Sequence, residues 1–275
     1  MKTAIVTDST SDIPQHLLEK YNIFQIPAVL IVEGKAMLDG EGITRSEFYN
    51  RLPTMKTNPT TAAPSTGSFQ QLYRSIFQQG FTEIISIHVS SKLSGIYNIA
   101  RITAQEFKDK IKVIDSQQLS LGIGFQVIAA AKASEQASSE QIIERIKNVR
   151  KRLKIIACLD TLEFIHRSGR VSWAKARLGG LLNLKPFLEI KNGEVLALGS
   201  SRSRQKGIQR MSDMLHNLGH LEYLAILHTN AKEDAKQFLA NYALPAPENT
   251  LLINVTTIIG THVGPNGLGF AAVVK

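Results

Sequence analysis

Apolar positions along the chain follow two alternating periods. Residues 2–7, 84–89 and 112–115 are short β-branched runs. Each leads through a polar stretch to a segment whose apolar residues recur every three or four positions, the spacing of a half-buried helix. The clearest case is residues 83–104. Ile84-Ile85-Ser86-Ile87-His88-Val89 reads as a buried strand. Ser90-Ser91-Lys92-Leu93-Ser94-Gly95 reads as a polar loop. Ile96, Ile99, Ala100 and Thr103 then share one helical face. Strand, loop and helix start in this order predict an anion-binding turn, with Ser94 as helix cap and backbone N–H groups open to a ligand. The loop is not a Walker motif, since no Gly-Lys-Ser/Thr closes it.

The same reading gives a helix from Pro14 through Tyr21, β-rich residues 22–32 and a return strand at 35–38. A capping box, Thr44 to Glu47, opens a helix to Leu52. Residues 53–64 read as a loop, and Ser65 starts a helix that Gly80 stops. Two long helical patterns cover 119–133 and 138–153. Past these the texture changes. Residues 154–159 form a strand, Asp160 to Glu163 resembles a capping box, and Ser172 caps a helix through 173–184. Asn192-Gly193 joins two strands as a hairpin. Helices at 203–218 and 231–244, a strand at 223–227 and β-rich residues 250–259 follow. A glycine-dense loop at 260–269 and a closing strand at 270–274 complete the chain. The expected class is α/β, with a parallel-sheet α/β/α domain at 1–153 and a mixed α+β domain at 154–275. Val6-Thr7-Asp8-Ser9 and Val113-Ile114-Asp115-Ser116 end two strands alike, and Asp8 and Asp115 are expected to cap helices at the sheet's C-terminal edge.

Composition narrows the class. The chain has 275 residues, 43% hydrophobic and 20% charged, ordinary for a globular protein. Its one cysteine, Cys158, excludes an intramolecular disulfide. It lies in an apolar run that predicts a core thiol, not a nucleophile. No apolar stretch reaches bilayer length and residues 1–8 do not make a signal peptide, so a cytoplasmic location is expected. Formal charge is +9, concentrated between Lys154 and Arg210, which predicts an acidic partner. No cluster has metal-ligand spacing, so no metal is expected.

Several stretches together resemble the DegV family, in order and over nearly the whole chain. They are Val6-Thr7-Asp8-Ser9-Thr10-Ser11-Asp12; the loop Ser90 to Gly95 with Tyr97; Val113 to Ser116; Asp160-Thr161-Leu162-Glu163-Phe164; Arg167-Ser168-Gly169-Arg170-Val171-Ser172; Leu182 to Pro186; and His262-Val263-Gly264-Pro265. The resemblance implies two α/β domains and a long-chain fatty acid held in a buried tunnel. It implies no catalysis by the chain itself. The carboxylate is presented to an ATP-dependent fatty acid kinase subunit, and the acyl-phosphate goes on to phospholipid synthesis, through a membrane acyltransferase or a transient contact with the membrane surface. It places Thr61, Ser94 and His262 on the carboxylate, with Thr60, Ser65 and Gly95 around the head group and Thr60 as the alternative to Thr61. The basic charge between Lys154 and Arg210 in turn assigns Arg170 and Arg202 to a surface that serves the kinase partner. The chain departs from the family at Ala62-Ala63, at Val263, where Thr is frequent, and at Asn266, where Gly is common.

Such a ligand makes two demands. Each buried methylene contributes about 0.8 kcal/mol, so a long tail gains roughly 10 kcal/mol gross. Each hydrogen bond to the charged head adds about 1.5–3 kcal/mol. The tail sets affinity and the polar groups set depth. Ile96, Leu119, Leu121, Ile123, Phe125, Leu178, Leu181 and Leu182 supply apolar surface. Two other classes compete. A Ser94/His262 hydrolase lacks the Gly-x-Ser-x-Gly elbow and an acid to orient the histidine, and ester turnover would reveal it. A nucleic-acid binder would explain the charge, but the basic segment carries few aromatics; salt-dependent binding to oligonucleotides separates it.

Overall fold

The first parallel sheet is built on Thr3–Asp8 (β1), buried at every position. The computed structural model describes residues 2–171, 184–241 and 246–275. Helices and strands are numbered below among those residues. Gln15–Lys20 (α1) leads to Ile23–Ile26 (β2). Pro27, which has no N–H for a ladder, separates it from Val29–Val32 (β3). Lys35–Leu38 (β4), Arg45–Arg51 (α2) and Thr60–Ala62 (β5) follow. Thr66–Gln78 (α3), Glu83–His88 (β6), Ile96–Ala104 (α4), Ile111–Asp115 (β7), Leu121–Ala133 (α5) and Ser139–Arg152 (α6) complete the first half. The second half runs Leu153–Cys158 (β8), Glu163–Ser168 (α7), Lys185–Lys191 (β9), Glu194–Ser201 (β10), Arg204–His216 (α8), Leu221–His228 (β11), Lys232–Ala240 (α9), Leu251–Asn254 (β12), Thr257–Val263 (α10) and Leu268–Val274 (β13).

Two compact units result. The first comprises the chain up to Val29, Ala62–Arg152 and Asn192–Glu194. Its sheet has the order β2-β1-β6-β7, and all its pairs are parallel. The apolar runs read from sequence are its strands, and α5 is buried along nearly its whole length. The second unit comprises Leu30–Thr61, Leu153–Lys191 and Val195–Lys275. It holds a mixed six-stranded sheet, β10-β9-β8-β13-β11-β12, in which β11 pairs β12 in parallel while the β11–β13, β13–β8 and β8–β9 pairs are antiparallel. A small sheet has the order β4-β3-β5. The α/β class with a parallel first sheet is as expected.

The single cut after Leu153 needs correction. Leu30–Thr61 belongs with the later half, and Asn192–Glu194 with the earlier. Long-range bonds decide this, and local pattern does not encode them. Arg45 donates to the carbonyl of Asn254, and the Tyr49 hydroxyl donates to Val255 O at 2.9 Å. Thr257 Oγ1 donates to Asp39 at 2.9 Å. At the hairpin turn Asn192 and Gly193 have φ of 52° and 80°, as a type I′ turn requires, and Ser90 Oγ donates to Gly193 O at 2.8 Å.

Other local expectations shift. Thr60–Ala62 is a strand where a loop was expected. The β-branched residues 257–259 are helical, capped by the Thr256 hydroxyl, which accepts from Ile258 N. Asp160 does not cap α7; it pairs with Lys185 at 2.6 Å, and the Thr161 hydroxyl accepts from Glu163 N. The helix expected at 173–184 and the end of that expected at 231–244 lie outside the described residues.

Asp8 is fully buried and accepts four hydrogen bonds. Thr10 N donates at 3.1 Å, with the Thr10 hydroxyl beside it; His88 Nδ1 and Val89 N share the other oxygen at 3.0 and 3.1 Å. It caps a single 3-10 turn, Ser9–Ser11. Asp115 caps no helix: it accepts from Ser91 Oγ at 2.6 Å and Gln117 N at 2.8 Å, tying down the following loops. Asp8→Ala should cost about 3–5 kcal/mol in urea unfolding, because it strands buried donors on three residues. A loss below about 1 kcal/mol would show that these bonds are dispensable.

Candidate functional site

Strand alternation sets the two threonines of β5 apart. Neighbouring side chains on a strand point to opposite faces. Thr60 is exposed, while Thr61 is half-buried and its Oγ1 lies 3.0 Å from His262 Nε2. His262 sits in the last turn of α10, not in the glycine loop that follows. Its other nitrogen, Nδ1, is buried and has no hydrogen-bond partner among the described residues. Burial lowers the His262 pKa to about 4, and the positive charge of Arg170 adds to the effect. The ring is therefore neutral at pH 7. It carries one N–H and one lone pair, and Thr61 uses only one of them.

Ser94 belongs to the first unit. The expected open anion cradle is not there, because the loop uses its amides on itself. Ser91 N turns to Asp115 at 3.4 Å. Lys92 N donates to Ser90 Oγ at 3.2 Å, and Leu93 N and Ser94 N donate to Ser90 O at 2.9 and 3.1 Å. The helix cap is Gly95, one residue later than expected, with no side-chain bond. Ser94 Oγ accepts from Ile96 N at 3.4 Å, which leaves its hydroxyl hydrogen for another acceptor. Gly95 is exposed, with nothing within 4 Å of where a Cβ would stand. Ser65 caps α3, accepting from Ser68 N at 3.1 Å.

Part of the basic segment is engaged in ion pairs. Lys154 pairs with Glu189 at 3.3 Å, Lys185 with Asp160, Arg167 with Glu163, and Arg204 with Asp234. Arg210 donates to Leu198 O at 2.8 Å and lies over the Phe187 ring. Arg202 is exposed. Arg170 is exposed too, with Nη1 donating to Ser168 O at 2.6 Å. Cys158 is buried, and burial raises its thiol pKa to about 11, so it does not act as a nucleophile.

Sequence reading missed one constellation. Ser86 Oγ lies 2.7 Å from His88 Nε2, and His88 Nδ1 lies 3.0 Å from Asp8. Tyr73 adds its hydroxyl to Ser86 at 2.9 Å, and burial holds the Tyr73 pKa far above its ordinary value, so this hydroxyl stays protonated. The order matches a hydrolase triad, but all four side chains are fully buried and no substrate reaches Ser86. The chain Tyr73–Ser86–His88–Asp8 ties α3 to β6 and β1. Its only signal in the sequence is Ser86 and His88 two apart on one strand.

His262 yields a pH prediction. Its folded pKa of about 4 lies below the unfolded value of about 6.5. Its contribution to stability is thus complete above pH 6.5 and is lost as pH falls through about 4, by roughly 3 kcal/mol. The Cε1–H resonance should titrate near pH 4, and the stability of the wild type relative to His262→Gln should fall between pH 6.5 and 4. A midpoint above 6 would show a solvated ring.

Comparisons with known proteins place the chain in a family. The family model described as "Uncharacterised protein, DegV family" matches residues 2–275. A DegV domain-containing protein of Caldanaerobacter subterraneus is 34% identical over 98% of this chain and 97% of its own length. A solved DegV family protein from Thermus thermophilus, described for its fatty acid binding, is 32% identical, with a TM-score of 0.91 and full coverage of both chains. DegV from Bacillus subtilis, described as a fatty acid binding protein, is 29% identical with a TM-score of 0.88, again over both full chains. A Thermotoga maritima protein whose structure revealed a fatty acid binding function is 27% identical with a TM-score of 0.87. Matched by the family model over residues 2–275 and by relatives along nearly their whole length, the chain belongs to the DegV family.

Proposed function

We propose that this protein binds a long-chain fatty acid without transforming it and presents the carboxylate to an ATP-dependent kinase partner, whose acyl-phosphate product feeds phospholipid synthesis. The observation that carries the reading is the pair Thr61 and His262, 3.0 Å apart, with the histidine buried, neutral and only partly bonded. Related proteins described as fatty acid binding support it. In this reading Thr61, His262 and the Ser94 hydroxyl hold the head group. Thr60, exposed, and Ser65, engaged as a cap, have smaller parts, and Gly95 lets the chain pass close by. The tail takes apolar surface such as Ile96, Leu121, Ile123 and Phe125, all buried in the first unit; Leu178, Leu181 and Leu182 lie outside the described residues. The hydrolase reading is disfavoured by the unpartnered Nδ1 of His262, which no described carboxylate orients.

Native mass spectrometry of protein purified from cells should show the chain plus a fatty acid, lost on solvent extraction and regained on adding oleate or palmitate. A bare mass with no uptake would refute the reading. Ser94→Ala and His262→Ala should each weaken binding by about 1–3 kcal/mol. Ser94 is not the helix cap, so its replacement should hardly move the melting temperature; a stability loss without an affinity loss would make Ser94 structural only.

Arg170 and Arg202, exposed and outside the ion pairs of the basic segment, serve the partner in this reading. Arginine stabilises charge on transferring phosphoryl oxygens and steers an acidic partner. Arg170→Ala and Arg202→Ala should keep fatty acid affinity near wild type and lower acyl-phosphate formation at least tenfold, about 1.4 kcal/mol. Affinity falling in step with activity would place them in the pocket instead.

A further inference from the structure

His262 rides on a helix of seven residues, too short to hold its own position. What holds it is visible two residues to either side. Gly260 lies within α10, about 200° around the helix from His262, and Gly264 closes its C-terminal end. Each glycine is backed by an aromatic ring. A Cβ at Gly260 would stand 2.6 Å from Cε1 and Cζ of Tyr49, with the Tyr49 hydroxyl nearer still. A Cβ at Gly264 would stand 2.7 and 2.9 Å from Cε2 and Cγ of Phe164. Side chains do not approach so closely, and an aromatic ring cannot bend away. Gly264 also has φ of 77°, which independently favours glycine.

Both rings are anchored. Tyr49, 1% exposed, donates to Val255 O at 2.9 Å and reaches Thr256 O at 3.3 Å, the two residues that lead into α10. Phe164 stands on α7, whose Ile165 joins Leu159, Leu162, Val171 and Leu188 in a core cluster against which Val263 packs. The backbone of α10 is thus pressed against a phenol at one end and a phenyl ring at the other, with no side chain between.

We infer that Tyr49 and Phe164 are positioning residues: seated against Gly260 and Gly264, they set the depth of α10 and thereby hold His262 Nε2 at bonding distance from Thr61. This rests on the fatty acid reading for its purpose but not for its geometry. It also accounts for two stretches far apart in the chain, the one ending at Phe164 and the one from His262 to Pro265, because one supplies the ring and the other the gap that receives it.

The test uses the full chain and two readouts. Long-range proton–nitrogen spectra of ligand-free protein report the His262 tautomer and its bond to Thr61, with Thr61→Val marking the shift produced when that bond is lost. Fatty acid affinity is measured alongside with oleate. Gly260→Ala should lift α10 off Tyr49, reproduce the Thr61→Val shift and weaken oleate binding about tenfold or more in folded protein. Adding Tyr49→Leu, which removes the overlapping atoms, should restore most of both. Should Gly260→Ala not fold, Phe164→Leu replaces it: loss of the ring should move or broaden the His262 signal well below the melting temperature. An unchanged His262 signal and an oleate affinity within about twofold of wild type in the folded variant overturn the inference. Failure of the wild type itself to bind oleate would refute the fatty acid reading, while the spectra would still decide the clamp.

Discussion

A carboxylate with no exposure has to be satisfied by the protein, and Asp8 is the group around which the first unit is satisfied. Each oxygen takes two donors: Thr10 supplies one pair, and His88 with Val89 the other. The first pair closes the turn after β1. The second joins β1 to β6 at the residue where β6 gives way to the Ser90–Gly95 loop. One buried group therefore registers two strands and sets the point from which the loop departs. Asp115 repeats the device one strand further on, holding Ser91. A loop anchored at its root by Asp8 and over its first residues by Asp115 can use its remaining amides internally and still present the Ser94 hydroxyl in one place.

Much of this was legible in the sequence, and the reasons differ by element. The strands of the parallel sheet carry continuous apolar runs because both faces are covered, and such runs stand out. Asn192-Gly193 announces its turn because few residues tolerate two successive positive φ values. The Thr44 cap appears as read, its hydroxyl accepting from Glu47 N. What stayed hidden depends on partners distant in the chain. Residues 257–259 are β-branched and read as strand, yet a Thr256 cap and the grip of Asp39, Arg45 and Tyr49 on the residues around 254–257 make them the start of a helix. No window of a dozen residues contains that information. The assignment of Leu30–Thr61 to the second unit has the same cause.

The candidate site shows the same division. Motifs singled out His262 and Ser94 as candidates. Motifs did not separate Thr60 from Thr61; the pleat of β5 does, by turning one to solvent and the other to the histidine. The loop around Ser94 was expected to offer amides and instead offers a hydroxyl, because hydrogen-bond accounting inside a tight turn is invisible until the turn is built. The basic segment was expected to be a charged face. Three of its cations turn out to be paired with acids interspersed among them and Arg204 with Asp234 beyond it, so its net charge overstates what a partner meets.

If the pair Thr61–His262 holds a carboxylate for a kinase partner, as proposed, its chemistry explains why neutral groups would suit a head group that must stay reactive. A lysine or arginine in contact would bind the head group more strongly, but a permanent positive charge would hold electron density that the carboxylate oxygen needs for attack. His262 starts from a pKa of about 4. A bound carboxylate would have to raise it by about three units, roughly 4 kcal/mol of interaction, before the ring held a second proton at neutral pH. Below that threshold the ring and the Thr61 hydroxyl would, in the proposed reading, orient the head group through neutral hydrogen bonds and leave its charge in place. Such bonds are directional and weaken quickly with misalignment. A site that relies on them needs its donors held to within fractions of an ångström, and that is the demand the glycine–aromatic contacts behind α10 are built to meet.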